Sequence, residues 1–153
     1  MAVLAERETQ LLATARRGVL TTIAPEGRPR PVPITFAVIE DEAAGALILY
    51  SPLDEKPKSV ADPRDLARVR DIVARPRVAV LVDHWSEDWT ELRWVRLDGT
   101  AQLLEPAGPD PDEHRRGVEL LRARYPQYAT HNLEQRPMLR IAVERAVSWG
   151  PEG

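Results

Sequence analysis

The sequence predicts a mainly β protein, an antiparallel barrel of about six strands with three peripheral helices. Three observations lead there. Short runs rich in β-branched residues are separated by turn signals rather than by regularly alternating helices. The helical segments lie between or outside these runs and carry their own start signals. No strand is followed by G-x-G-x-x-G or G-x-x-x-x-G-K-[ST], so the glycine-rich phosphate loops of doubly wound parallel folds are absent.

Taken in order, Val3, Leu4, Leu11, Leu12 and Ala15 recur near the helical period over residues 3 to 16, and Gly18 is expected to end this first helix. VLTTIA, from Val19 to Ala24, reads as a strand, and Pro25-Glu26-Gly27 as the turn of a hairpin. The second strand is expected to run unbroken from Arg30 to Ile39, with Val32, Ile34, Phe36 and Val38 on the core face. After the loop EDEAAG, Ala46 to Ser51 forms the third strand. Asp62-Pro63 opens a second helix, whose Leu66, Val69, Ile72 and Val73 keep helical spacing until Arg75-Pro76.

Arg77 to Asp83, RVAVLVD, is almost uniformly apolar and is expected to be a central strand buried on both faces. LRWVRLDGTAQLLE is the longest strand, with Val95, Leu97, Ala101 and Leu103 facing the core and Gly99 marking a bulge. Asp110-Pro111 starts a third helix carrying Val118, Leu120 and Leu121, and MLRIAVERAVSWG supplies the last strand. With 153 residues and no internal repeat, the chain is expected to form one domain over residues 1–153.

Composition removes several kinds of chemistry. There is no cysteine, which excludes disulfide scaffolds, thiolate metal sites and cysteine nucleophiles. His84, His114 and His131 are widely spaced and show no paired metal-ligand spacing, so no metal site is expected. A net charge of −3 argues against non-specific nucleic-acid binding. No apolar run approaches the roughly 20 residues that span a bilayer. Glu6, Arg7 and Glu8 interrupt anything resembling a secretory signal, and a cytoplasmic location is the expectation.

Three features remain to carry function. Pro29, Pro31 and Pro33 remove a backbone donor at every second position of the second strand. Such a strand is either an edge guarded against aggregation or one whose carbonyls, at Arg30, Pro31, Val32 or their neighbours, face a ligand with N–H donors such as a pyrimidine-like ring. Lys56 and Lys58 project from a proline-stiffened loop after the third strand, with Arg64, Arg68 and Arg70 nearby, a combination suited to phosphate. Thr21, Thr22, Thr35 and Ser51 place hydroxyls on the strands. Of the tryptophans, Trp85 and Trp89 lie in a polar loop as a lid or a subunit contact, whereas Trp149 is assigned to packing. No catalytic triad, paired acid and base or activated nucleophile is visible, so no catalytic side chain is assigned, and any reactivity falls to a cofactor.

GVLTTIAPEGRPRPVPITFAV, LYSPLDEKPKSVADPRDLARVRDIVARPRVAVLVD and DWTELRWVRLDGTAQLL, in this order and spacing, resemble the pyridoxamine 5′-phosphate oxidase-like split-barrel superfamily. More narrowly, the chain resembles the actinobacterial branch expected to be F420-dependent enzymes, and the resemblance extends from about residue 5 to 150. The resemblance implies an FMN-binding type of split β-barrel and a homodimer with its cofactor in a groove between subunits. Lys56 and Lys58 match the phosphate-binding position, Pro33, Ile34 and Thr35 the segment lining the ring, with Ser51 at the end of the neighbouring strand and Arg68 and Arg70 at a further basic position. It implies an oxidoreductase passing hydride between coenzyme F420, or alternatively FMN, and an unsaturated organic substrate. A non-catalytic carrier of flavin, deazaflavin or haem is the other reading.

Overall fold

The structure is a computed structural model that describes residues 4–41, 45–55 and 60–151. It contains seven strands rather than six: β1 (Gly18–Ile23), β2 (Pro29–Ile34), β3 (Ala37–Asp41), β4 (Ala46–Pro52), β5 (Arg77–His84), β6 (Arg93–Leu104) and β7 (Met138–Trp149). Three α-helices accompany them: α1 (Glu6–Thr14), α2 (Ala67–Ala74) and α3 (Pro111–Arg124). All pairings are antiparallel, in the order β2-β1-β5-β6-β7-β4-β3.

The extra strand comes from a break in the run expected to be continuous from Arg30 to Ile39. Its first half pairs with β1 and its second half with β4, at the opposite edge of the sheet. Three peptide steps from Ile34 to Ala37 span at most about 11 Å. The two edges must therefore approach each other at Thr35–Phe36, so the sheet curls into a barrel that is joined there by the chain and not by a ladder: a split β-barrel. The alternation of side chains continues through the break. Ile34 and Phe36 are buried in the interior, and Val32 and Val38 pack against it.

That interior is lined by Leu20, Leu49, Val80, Val82, Val95, Leu97, Leu139 and Ile141, and is closed by Leu11 and Leu12 of α1, by Leu66 just before α2, and by Val69 and Ile72 of α2. A second apolar cluster lies outside the barrel, where Val118 and Leu121 of α3 cover Ala37, Ile48, Tyr50 and Met138. Each helix is anchored locally. Asp110 caps α3 through the Glu113 N–H at 3.0 Å. Asp62 caps only a single 3-10 turn, Pro63–Asp65, so α2 begins at Ala67, later than its start signal implied. α1 ends at Thr14, before Gly18, which instead opens β1. Its last carbonyls are held by Arg124, whose Nη1 donates to Ala13 at 2.8 Å and Nη2 to Leu12 at 2.7 Å.

Gly99 sits where the β6–β7 register shifts. A Cβ there would meet the Ala142 carbonyl oxygen at 2.3 Å, a backbone contact with no freedom to yield. β5 departs from expectation. It is central in the sheet, yet only Val78, Val80 and Val82 are buried, while Leu81 on its other face is 41% exposed. Among the described residues, the outer face of the sheet has no covering layer at β5.

Candidate functional site

The joint between the two sheet edges is built from polar bonds that converge on Thr35 and Phe36. Ser51, buried at the end of β4, donates its hydroxyl to the Thr35 carbonyl at 2.8 Å. From the 3-10 turn Pro126–Ala129, Tyr128 donates its hydroxyl to Asp54 Oδ2 at 2.5 Å and lies 2.6 Å from Thr35 Oγ1. A tyrosine has one proton; with it given to Asp54, Thr35 is the donor in the second bond. The Tyr125 hydroxyl accepts the Phe36 N–H at 3.1 Å and shares its own proton between the Arg16 and Phe36 carbonyls. Two tyrosines thus fasten the seam and fix Thr35. Burial first, and then the bond to Asp54, pushes the Tyr128 phenol well above the ordinary tyrosine range.

The residues after β4 are held just as firmly. Arg136 donates from Nε to the Leu53 carbonyl at 2.5 Å and from Nη2 to the Asp54 carbonyl at 2.9 Å. The Glu55 N–H donates to His131 Nδ1 at 3.2 Å. This rigid base leads directly to Lys56 and Lys58, the expected phosphate anchors, which lie outside the described residues.

Arg68 reaches this region from α2. The helix is fixed to the β1–β2 hairpin by the buried Asp71 carboxylate, which accepts from Thr22 Oγ1 at 2.7 Å and Arg30 Nε at 2.8 Å. Arg68 precedes Asp71 by three residues and so shares its side of the helix. Its Nε is buried and has no hydrogen-bond partner among the described residues. Burial lowers the pKa of the guanidinium, while the nearby Asp54 carboxylate works in the other direction. An orphaned donor on a half-buried cation is costly unless an anion completes it. Arg70 is exposed, and a spacing of two residues turns it about 200° around the helix from Arg68, so the two do not converge.

The prolines of β2 lie on the outermost strand, paired only with β1. The Ala24 N–H donates to the Arg28 carbonyl, and the register then alternates, which places Arg30, Val32 and Ile34 in the hydrogen-bonded pairs with β1. The free edge therefore belongs to Pro29, Pro31 and Pro33: three carbonyls and no donors. The sequence had pointed equally to Arg30 and Val32; register excludes them. Ile34 has its side chain in the core and its backbone toward Gly18, so the Pro33 carbonyl and Thr35 are what this segment presents outward. An acceptor-only edge and an orphaned guanidinium N–H suit the two ends of a phosphorylated flavin-type molecule, a ring with N–H donors and an anionic tail.

On the uncovered face of the sheet, a groove of about 600 Å³ is lined by Thr21, Leu81, Leu92, Trp85, Trp94 and Trp149. Trp149, assigned from the sequence to core and interface packing, is 51% exposed in the single chain, where the end of β7 runs along this open face. Among the described residues no group of three or more histidines and acidic residues is arranged to hold a metal, and no helix is long and apolar enough to cross a membrane.

Comparison with known proteins follows the fold. The family model described as Pyridoxamine 5′-phosphate oxidase matches residues 4–150. No curated protein matches. Among solved structures, a conserved hypothetical protein from Mycobacterium tuberculosis is 23% identical, with a TM-score of 0.69 over 97% of this chain and 86% of that one. A FAD-binding protein from Mesorhizobium loti is 20% identical, with a TM-score of 0.64 over 95% and 94% of the two chains. An F420 reductase is 19% identical, with a TM-score of 0.63 over 94% and 98%. At these identities the likeness is one of fold.

Proposed function

The chain belongs to the pyridoxamine 5′-phosphate oxidase family, and on that premise we propose that it is an oxidoreductase that uses coenzyme F420, with FMN as the alternative cofactor, to reduce or oxidise an unsaturated organic substrate. The observation that carries this reading is the pairing of an acceptor-only strand edge with the orphaned Arg68 donor. The Pro31 and Pro33 carbonyls would accept ring N–H groups, Thr35 would adjoin the ring, and Arg68 with Lys56 and Lys58 would hold the phosphate. Bound there, a flavin or deazaflavin supplies two-electron hydride chemistry. The chain supplies position: Ser51, Tyr125 and Tyr128 lock Thr35, and Asp71 locks the helix that carries Arg68.

We propose further that the molecule is a homodimer. Leu81, Trp85 and Trp149 expose apolar surface on a sheet face that a second copy would cover, and the family resemblance implies a cofactor groove between subunits.

The test is a fluorescence titration with F420 and with FMN. Micromolar binding of at least one is expected, and binding of neither would overturn the reading. Replacing Lys56 and Lys58 together by Ala is expected to weaken binding by about 2 to 4 kcal/mol. Binding without reduction of any quinone, enone or nitro compound would identify a carrier instead of an enzyme.

A further inference from the structure

A recess of about 450 Å³ opens beside the joint, lined by Arg16, Thr35, Tyr125, Gln127, Tyr128 and His131. Its composition is specific. Tyr125 and Tyr128 meet edge to face at 5.6 Å, and Tyr128 meets His131 in the same way at 5.3 Å, forming a stepped aromatic wall. Both tyrosine hydroxyls are used in the seam, so what these residues offer a ligand is ring surface.

Two of the polar groups around that wall, Arg16 and His131, are donors. Arg16 lies over the Tyr125 ring, with Cζ 4.5 Å from its centre, and Nη2 donates to the Arg124 carbonyl at 2.7 Å. Among the described residues it has no carboxylate partner, which leaves an exposed guanidinium with unused N–H groups at the rim. His131 accepts the Glu55 N–H at Nδ1, so the neutral ring carries its proton on Nε2. The neighbouring Arg124 is likewise without a carboxylate and is spent on the carbonyls of α1 and the ring of Phe36. The carboxylate nearest the wall, Asp54, is bonded to the Tyr128 hydroxyl. Flat apolar walls rimmed by a cation and donors fit a planar, acceptor-rich anion.

We propose that this recess seats the reducible co-substrate and that Arg16 selects planar conjugated molecules bearing a carboxylate. The assignment of a co-substrate rests on the oxidoreductase reading, because Thr35 belongs both to this recess and to the segment expected to line the cofactor ring. The selection by Arg16 stands on the recess alone.

Two matched probes separate these parts: 4-nitrobenzoate and its uncharged methyl ester, titrated into the isotope-labelled full chain without cofactor and followed by amide chemical shifts. The acid is expected to bind about tenfold more tightly than the ester, with shifts centred on Thr35, Tyr128 and His131. Added salt should weaken the acid alone. Arg16→Gln should remove the preference for the acid over the ester, and Arg16→Lys should retain part of it. Equal affinities in the wild type, a preference that survives in Arg16→Gln, or shifts centred elsewhere would overturn the proposal. If Arg16→Gln does not fold, the absence of a salt effect on the wild type overturns it as well. Acid binding in the recess without hydride transfer from reduced F420 or FMN supports selection by Arg16 and overturns the oxidoreductase reading.

Discussion

A buried phenol that donates a hydrogen bond to a carboxylate cannot easily ionise, and two of the three tyrosines are in that state. Tyr128 is held by burial and Asp54, and Tyr50 by burial and Glu113, whose Oε1 accepts its hydroxyl at 2.8 Å. Their folded pKa values lie above the unfolded one of about 10, so their contribution to stability is complete below that pH and is lost as pH rises through the folded values. Thermal melts between pH 8 and 11 should show Tm falling above about pH 10, with a shallower fall in Tyr128→Phe. Arg68 gives a prediction of opposite character. Arg68→Met removes an orphaned buried donor, so stability should hold or rise while affinity for a phosphorylated cofactor falls by about 1.5 to 3 kcal/mol. Arg70→Met, on the exposed side of α2, serves as the control and should change neither. At this scale charge and position single out Lys56, Lys58 and Arg68 as candidates in the sequence. Tyr125, Tyr128, Asp54 and Arg136 were not, because Tyr128 meets Asp54 and Thr35 across 74 and 93 residues and nothing local marks the meeting.

Strands and helices were legible where the pattern is local. The alternate prolines of β2 pointed to an edge, Asp110-Pro111 announced α3, Asp62-Pro63 announced a helix that starts only at Ala67, and Gly99 marked the bulge or bend. The bulge permits a direct test. Gly99→Ala forces a side chain against the Ala142 carbonyl and should destabilise the protein by about 1 to 3 kcal/mol in denaturant unfolding, with an unchanged m-value. The break at Thr35–Phe36 was invisible because side-chain alternation reports which face a residue occupies, and that face does not change there. What changes is the strand to which the backbone bonds, and backbone groups are identical in every residue.

For the whole molecule, the open face of β5 is the informative departure. A uniformly apolar strand was expected to be covered on both sides, yet this chain covers one. Leu81→Glu together with Trp149→Glu is expected to convert a dimer to monomers in sedimentation velocity and to abolish cofactor binding while the monomer stays folded. A wild type that sediments as a monomer at micromolar concentration would remove the homodimer from the account.

By itself the sequence determined what depends on neighbours in the chain: the β-rich class, most element positions, the acceptor-only edge and the basic loop. Each follows from propensity, periodicity or the missing proline N–H, which act over a few residues. The tertiary structure alone decided which carbonyls of that edge stay free, where the two edges join, and that a pair of tyrosines fastens them. It also left Arg68 with a buried donor and no partner, and turned Arg70 away. These outcomes depend on register and on contacts between residues far apart in sequence, whose pairing is set by how the whole sheet curls rather than by any stretch of it.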